Sequence, residues 1–466
     1  MQQKNFKSAL GIIITVFFFW GFVAASNGIF IPFCKKHFQL SQFESQLIDA
    51  TFYGGYFIGS LVLLALSRVF KMEILNRLGY KRGIIYGLLI SILGALAIIP
   101  SVNAGSFPLI LASFFILALG FSLQQTCAQP FVIALGNPSG GAHRLSLAGG
   151  VNSLGTTLGP LAVGFILFGT VSGSGKASLD SINELYYLLA GVFLLVALFL
   201  WRAKLPEIQS DDAYEPGFGA LKFPQLRLGM LAIFTYVGVE VSIQSNMGAL
   251  LAEPAFGSWK EDQIAPFISL YWGSLMIGRW AGSIAVFSLS QKMKWLMSVL
   301  VPFLAFAVVL GVNKLSGKPI DDLYPYALCV GVLILNFLLS KEQPARTLLL
   351  FSFFGMAAML IGLFSTGTIS MFAFLSGGLA CSIMWPSIFA LSLSGLGRYS
   401  GQGSAFLIMM ILGGAVIPPV QGLLADVIGI HQSYLITVLC FAYLAYFAYR
   451  AKTLSPEANE VAVSGH

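Results

Sequence analysis

The sequence predicts an all-α integral membrane protein: about fourteen transmembrane helices, arranged as two six-helix bundles plus an extra two-helix hairpin. Three observations carry this. Of 466 residues, 57% are hydrophobic and only 10% charged, where an ordinary globular chain carries about 25% charged residues. Apolar runs long enough to cross roughly 30 Å of hydrocarbon recur along the chain. One mixed-charge stretch, AKLPEIQSDDAYEPGFGALKFPQL at 203–226, separates six such runs from eight.

The runs follow in order. The first, about 8–33, comes after Lys4 and Lys7. Ala24-Ala25-Ser26 faintly resembles a cleavage site, but the run continues through Asn27 to Pro32 and reads as a retained helix. Runs at about 46–69, 84–101, 107–134, 145–170 and 184–202 complete an N-terminal bundle, 1–202. After the linker at 203–226, a C-terminal bundle at 227–450 holds runs at about 227–251, 263–287, 294–312, 323–340, 346–365, 368–396, 401–424 and 432–450. The pair within 294–340 is the surplus hairpin, expected to pack at the periphery, and 451–466 is a short polar tail.

With the N-terminus placed in the cytoplasm, inner loops and adjoining helix ends collect twenty Lys and Arg residues, and the outer ones six. The positive-inside rule therefore orients the chain in a cell inner (plasma) membrane, multi-pass, with both termini cytoplasmic. This also explains the formal charge of +7 without an acidic or nucleic-acid partner. The cysteines Cys34, Cys127, Cys329, Cys381 and Cys440 show neither metal spacing nor a paired framework. None of the four histidines neighbours a candidate nucleophile, and no Gly-Lys-Thr/Ser run cradles phosphate. No enzyme, no ATP-driven pump and no resident cofactor is expected.

Two carboxylates remain inside apolar sequence, Asp49 and Glu240. A carboxylate in a bilayer costs a few kcal/mol unless paired, hydrated or protonated, which marks it as a functional candidate. Glu240 falls about 13 residues into its helix, near the midplane at 1.5 Å per residue. Asp49 lies closer to the outer mouth, where it is either a hydrated residue or a hard-oxygen ligand for Na⁺.

The halves also echo each other. NRLGYKRG (76–83) follows the second helix, and GRWAGS (278–283) stands near the inner end of the second helix of the other half, where Arg279 alone would read as a snorkelling residue. Longer strings carry a family resemblance: FFFWGFVAASNGIFIPFCKKHFQLS (17–41), AQPFVIALG (128–136), RLSLAGGVNSLGTTLGP (144–160), YVGVEVSIQS (236–245), SLYWGSLMIGR (269–279), SIMWPSIFALSLSGLG (382–397) and GGAVIPPVQGLLAD (413–426). In order and over nearly the whole chain, they resemble the fucose–galactose–glucose permease branch of the major facilitator superfamily, and the glucose/galactose transporters in particular. The resemblance implies a twelve-span fold, binding of one monosaccharide between the halves, and alternating access by rocking. The fucose–proton symporters carry an Asp where this chain has Gly28 and a Glu where it has Gln125. Their Asn-Pro becomes Gln129-Pro130, and their Arg-Leu-Asn-Leu-Ala-Gln becomes Arg144 to Gly149, with Ser146 for the Asn and with Asn152 retained. Both usual proton carriers are thus replaced.

Sugar recognition needs amides, carboxylates and aromatic faces converging in an apolar cleft. The candidates are Asn27, Gln125, Gln129, Asn152, Glu240, Gln244, Trp272 and Trp385, with Asp49 and Glu240 for ion coupling. Each amide has a plainer reading as interhelical glue, worth roughly 1 kcal/mol, and Gln129 can equally satisfy a carbonyl freed by Pro130. The expected function is secondary active import of a monosaccharide such as glucose, galactose or fucose, coupled to Na⁺ or H⁺, by a monomer in the bilayer. A permease for an amino sugar or a muropeptide, an uncoupled facilitator, and a non-transporting sugar sensor are the alternatives.

Overall fold

The computed structural model describes residues 2–39, 42–71, 74–168, 178–206, 218–259, 261–287 and 289–455. Within these ranges the side chains of 2–5, 24–33, 35–36, 42–46, 49, 76, 160–168 and 261–262 are not described, so Asn27 and Asp49 lie outside the described side chains. The N-terminal half comprises α1 (Gln2–His37), α2 (Gln42–Val69), α3 (Tyr80–Asn103), α4 (Phe107–Ala134), α5 (Gly141–Phe168) and α6 (Leu179–Arg202). In the C-terminal half, α7 (Pro224–Ala252), α8 (Glu261–Ser283), α9 (Gln291–Leu315), α10 (Ala327–Ser340) and α11 (Pro344–Phe364) are followed by α12 (Gly367–Cys381), α13 (Met384–Leu393), α14 (Ser400–Met409), α15 (Gly413–Ile428) and α16 (Leu435–Leu454). Among the described residues twelve helical spans are long and apolar enough to cross a membrane. α5 and α8, of 28 and 23 residues, are long helices at the two other positions where the sequence predicts spans.

Local chemistry explains the starts. Pro224 and Pro344 open their helices in the first turn, where a missing N–H costs nothing. Ser178 and Ser290 accept from the backbone N–H three residues on and cap α6 and α9. The expected boundaries hold within two turns, but two expected helices are interrupted. The span expected at 368–396 breaks at Ser382–Ile383 into α12 and α13, because the Pro386 ring clashes with the carbonyl four residues back and its nitrogen cannot continue the ladder. The span expected at 401–424 is divided by a 3₁₀ turn at Met410–Leu412, just ahead of the Pro418–Pro419 pair in α15.

Lipid tails give helices no hydrophobic reason to associate, so close approach at small residues does that work. A Cβ at Gly87 of α3 would stand 2.7 Å from the Gly120 carbonyl of α4, and one at Gly94 2.6 Å from Leu117 Cα. On α1, a methyl at Gly21 would collide with the backbone of α5 at Asn152. A buried chain of hydrogen bonds adds specificity, with Trp20 Nε1 donating to Gln124 Oε1 at 2.7 Å and Gln124 Nε2 to Ser91 Oγ at 2.9 Å.

The α9–α10 hairpin lies on the outer flank of α8. Leu300, Phe303 and Leu304 of α9 face outward, while Asn313 donates to Ser269 of α8 at 2.9 Å. Tyr326, fully buried at the hairpin's turn, joins Ser274 of α8 at 2.8 Å and donates to the Leu375 carbonyl of α12 at 3.0 Å. The hairpin is peripheral, yet α9 also touches α5 of the other half.

Arg144 fastens the turn between α4 and α5. It is buried, and its guanidinium donates to the carbonyls of Val132 (3.1 Å) and Ile133, which the last turn of α4 leaves unpaired, and to that of Asn137 (2.9 Å) in the turn beyond. Charged hydrogen bonds of this kind contribute about 1.5–3 kcal/mol each. Arg144→Gln is therefore expected to lower the detergent melting temperature of the purified protein by several degrees, and Arg144→Lys, which keeps the charge but loses the fork, by nearly as much.

Candidate substrate site at the junction of the halves

Glu240 sits in the middle of α7, with Tyr236 one turn before it on the same face. The Tyr236 hydroxyl donates to Glu240 Oε1 at 2.6 Å, and Arg279 Nη2 of α8 stands 3.7 Å from the same oxygen. The Glu240 and Arg279 side chains are 12% and 13% exposed, so each keeps a little accessible surface. Tyr271, fully buried on α8, donates to the Glu240 backbone carbonyl at 2.7 Å and locks α7 to α8 at this level. Trp385, at the start of α13, places its ring 6.2 Å from that of Tyr236 and stacks on Phe389 at 5.6 Å.

An isolated charge at this depth is costly. The pair offsets that cost by mutual neutralisation, but 3.7 Å is a loose contact, far from a bidentate fork. Among the described residues only Oε1 of Glu240 has a partner, so Oε2 can accept from a hydroxyl. Arg279 meanwhile crosses between the halves, with Nη1 donating to Ser153 Oγ of α5 at 2.9 Å. Of the two readings of Arg279, the contacts disfavour a snorkelling residue, because its guanidinium turns toward Glu240 and Ser153.

The α5–α8 seam continues toward the end of the bundle that bears the basic loops. Trp280 Nε1 donates to the Gly150 carbonyl at 3.1 Å. The ring nitrogens of His143 lie 3.0 Å from the Gly282 carbonyl and 3.2 Å from the Glu342 carbonyl, just beyond the hairpin. A Cβ at Gly149 would stand 3.3 Å from Arg279 Cδ, and one at Gly150 2.8 Å from Trp280 Cδ1. A Cβ at Gly282 would stand 3.5 Å from Ser146 Cβ. The two departures from the family pattern in this segment, Ser146 and Gly149, are therefore the residues that admit α8. A longer amide at either position would occupy the space of Arg279 or Gly282.

The other candidates divide. Gln244 is half-buried on α7 one turn beyond Glu240, on the same face. Trp272 is 40% exposed, with its ring edge-on to Tyr271 at 5.8 Å. The amides of the N-terminal half serve its interior: Gln125 Nε2 donates to Tyr56 Oη at 2.9 Å, and Asn152 Nδ2 to the Phe17 carbonyl at 2.9 Å. Asn246 donates to Gln421 Oε1 at 2.9 Å within the other half. Gln129 Oε1 is buried with no hydrogen-bond partner among the described residues. The carbonyl freed by Pro130 is that of Thr126, and Ser404 of α14 satisfies it at 2.8 Å, a second contact between the halves. Sequence reading missed Tyr236, Ser153 and the pairing of Arg279. Tyr236 was within reach, since it precedes Glu240 by four residues on an apolar helix.

Comparison with known proteins follows this geometry. The sequence model of the Major Facilitator Superfamily matches residues 12–340. A Brucella abortus protein named glucose/galactose transporter is 33% identical over 450 residues, covering 96% of this chain and 94% of that protein. The L-fucose-proton symporter of Escherichia coli is 27% identical over 478 residues, 97% of this chain and 95% of that one. A crystal structure of the E. coli fucose:proton symporter superposes with a TM-score of 0.73 at 25% identity, covering 96% of this chain and 99% of that one. The chain thus belongs to the Major Facilitator Superfamily, in the branch of the fucose, galactose and glucose permeases, and is a multi-pass membrane transporter rather than an enzyme.

Proposed function

We propose that the protein is a monosaccharide permease for a hexose of the glucose or galactose type, importing it across a bacterial inner membrane by alternating access as a monomer. The carrying observation is the Glu240–Arg279–Ser153 bridge, which puts a carboxylate with a free oxygen at the meeting point of the two halves. The relative named for glucose and galactose transport supports a hexose over an amino sugar or a muropeptide. Sugar hydroxyls donate to Glu240, Gln244 supplies an amide on the same face, and Trp385 offers an aromatic face for the ring.

In the coupled form of this reading, a cation exchanges places with Arg279 at Glu240, or occupies Asp49 as Na⁺. A cation at Asp49 cancels that charge, so the loaded carrier moves more easily than the half-loaded one; at Glu240 the cation releases Arg279, whose own charge remains in the carrier. A second reading has a specific basis. Arg279 already supplies a countercharge to Glu240, and the usual proton carriers are Gly28 and Gln125, so uncoupled facilitation needs no ion. The test is uptake of labelled glucose and galactose by reconstituted protein under a Na⁺ gradient, a pH gradient and neither. Accumulation above equilibrium under one gradient establishes coupling to that ion. Equilibration that ignores both establishes the facilitator, and failure to move any hexose overturns the sugar assignment.

A further inference from the structure

A partly open cavity lies away from the junction, at the basic end of the N-terminal half. A short helix, Ile74–Leu78, leads into Gly79, whose φ of 76° lets the chain turn sharply into α3. No side chain caps this helix, so the amide groups of its first turn are left facing outward at the positive end of a 24-residue dipole. Lys81 Nζ donates to the carbonyls of Trp201 (3.0 Å) and Ala203 (2.8 Å), tying the start of α3 to the end of α6. Between them is a cavity of about 530 Å³. Among the described residues its lining carries four cations, Lys81, Arg82, Arg202 and Lys204, and no carboxylate, with Ile85 and Trp201 supplying an apolar wall. Arg82, Arg202 and Lys204 are exposed, and Trp201 is 64% exposed on the lipid-facing side of α6.

Lysine 81 is occupied with carbonyls, so it holds the cavity's shape. Arg202 lies over the Trp201 ring at 5.9 Å, and among the described residues none of Arg82, Arg202 and Lys204 meets a carboxylate, so an anion between them lowers their mutual repulsion. A helix start together with converging Arg and Lys side chains suits a phosphate-sized oxyanion, and basic pockets between helices at the inner face are where anionic lipid headgroups settle. We propose that this cavity binds a phosphoryl group, with Arg82, Arg202 and Lys204 around its oxygens. The apolar wall favours the headgroup of an anionic phospholipid, whose acyl chains leave along Trp201 and Ile85. A free phosphate presents the same chemistry without the chains. The inference does not depend on which solute is transported.

The test uses the full-length protein in detergent, with native mass spectrometry after incubation with dioleoylphosphatidylglycerol or dioleoylphosphatidylcholine. A separate arm measures the melting temperature with and without inorganic phosphate. Wild-type protein is expected to retain phosphatidylglycerol at least about tenfold better than phosphatidylcholine, and the double variant Arg82→Gln/Lys204→Gln to lose most of that preference, since each cation near a surface phosphate counts severalfold. Lys81 is kept so that the α3–α6 contact survives, and an unchanged melting temperature without ligand confirms it. Lys292→Gln/Lys452→Gln, which removes two exposed charges elsewhere on the basic end, should retain the preference. Phosphate stabilisation that is lost in the double variant, without lipid retention, also upholds the site and assigns it to soluble phosphate. Lipid retention and phosphate stabilisation both indifferent to Arg82→Gln/Lys204→Gln overturn the proposal; that is also the result if the acidic residues Glu207, Asp211, Asp212 and Glu215 of the adjoining linker neutralise the cavity.

Discussion

Glu240→Gln is expected to reduce hexose uptake by roughly a hundredfold or more, while the protein still inserts and folds. A hydrogen bond from substrate or ion to the carboxylate contributes about 1.5–3 kcal/mol, and 1.4 kcal/mol is a factor of ten. Separately, removing one partner of a buried ion pair costs about 3–5 kcal/mol of stability, because it strands the other charge. Here the stranded group is Arg279, which sits at the only midplane junction between α7, α8 and α5 that the described residues show. The amide keeps an acceptor for Tyr236, so the local packing of α7 is retained and the loss falls on charge. Arg279→Gln is expected to be nearly as damaging, leaving the carboxylate uncompensated. The double variant Glu240→Gln/Arg279→Gln separates the causes. If the pair serves only to cancel charge in the bilayer, removing both partners restores melting temperature and uptake together. If Glu240 reads substrate or ion, the double variant regains its melting temperature but stays inactive. The measurement is initial-rate uptake of labelled glucose and galactose in proteoliposomes, normalised to inserted protein. Wild-type accumulation by Glu240→Gln would make the residue structural.

Glu240 was visible in the sequence because a lone carboxylate in the middle of an apolar run has no inexpensive explanation. Its partner was not. Arg279 follows a glycine near the apparent inner end of its helix, where a long cation ordinarily reaches back to the headgroups. Only the crossing of α7 and α8, fixed by Tyr271 reaching the Glu240 carbonyl, turns it inward. The helices themselves were legible from hydropathy. The breaks in the spans were less so. Pro386 is one proline among 19, and most of the others are absorbed without dividing a helix.

The amides illustrate a different limit. Gln125, Gln129 and Asn152 were candidates because polar groups in lipid need partners, but sequence cannot tell a partner on a sugar from one on a neighbouring helix. In the structure Gln125 and Asn152 find theirs inside the N-terminal bundle, while Ser153, the less conspicuous neighbour of Asn152, faces the other half. Departures from a family pattern carry a similar ambiguity. Ser146 and Gly149 read as lost site residues along the chain, yet in space they are the low points of a surface into which α8 settles. Loss of two long amides and a tight seam are one feature.

That seam yields the second large effect. Ser146 of α5 and Gly282 of α8 face each other so closely that a Cβ built on Gly282 would stand 3.5 Å from Ser146 Cβ, at the short end of the roughly 3.5–4.5 Å that a disulfide needs. Both positions are helical with ordinary backbone, so cysteine adds no backbone strain at either, and the Ser146 hydroxyl, 3.2 Å from a Cβ at Gly282, turns aside in the single Gly282→Cys variant. The double variant Ser146→Cys/Gly282→Cys is therefore expected to cross-link in oxidised membranes and to lose at least roughly nine-tenths of its uptake, with recovery on reduction. Each single variant, unable to bridge, should transport at near wild-type rate. The five native cysteines do not confound the result, since four are buried and Cys329 lies in the hairpin. Alternating access requires the halves to part on one side of the site and then on the other. The α5–α8 contacts from His143 to Gly150 lie on the basic side of the Glu240–Arg279–Ser153 junction, so a covalent bridge there holds that side shut and permits only binding from the opposite face. Full uptake by a completely cross-linked protein would show that the path does not open between α5 and α8. Blocked uptake with retained sugar binding, measured by the quenching of tryptophan fluorescence, would place the moving gate at this seam and leave the Glu240–Arg279 pair just behind it.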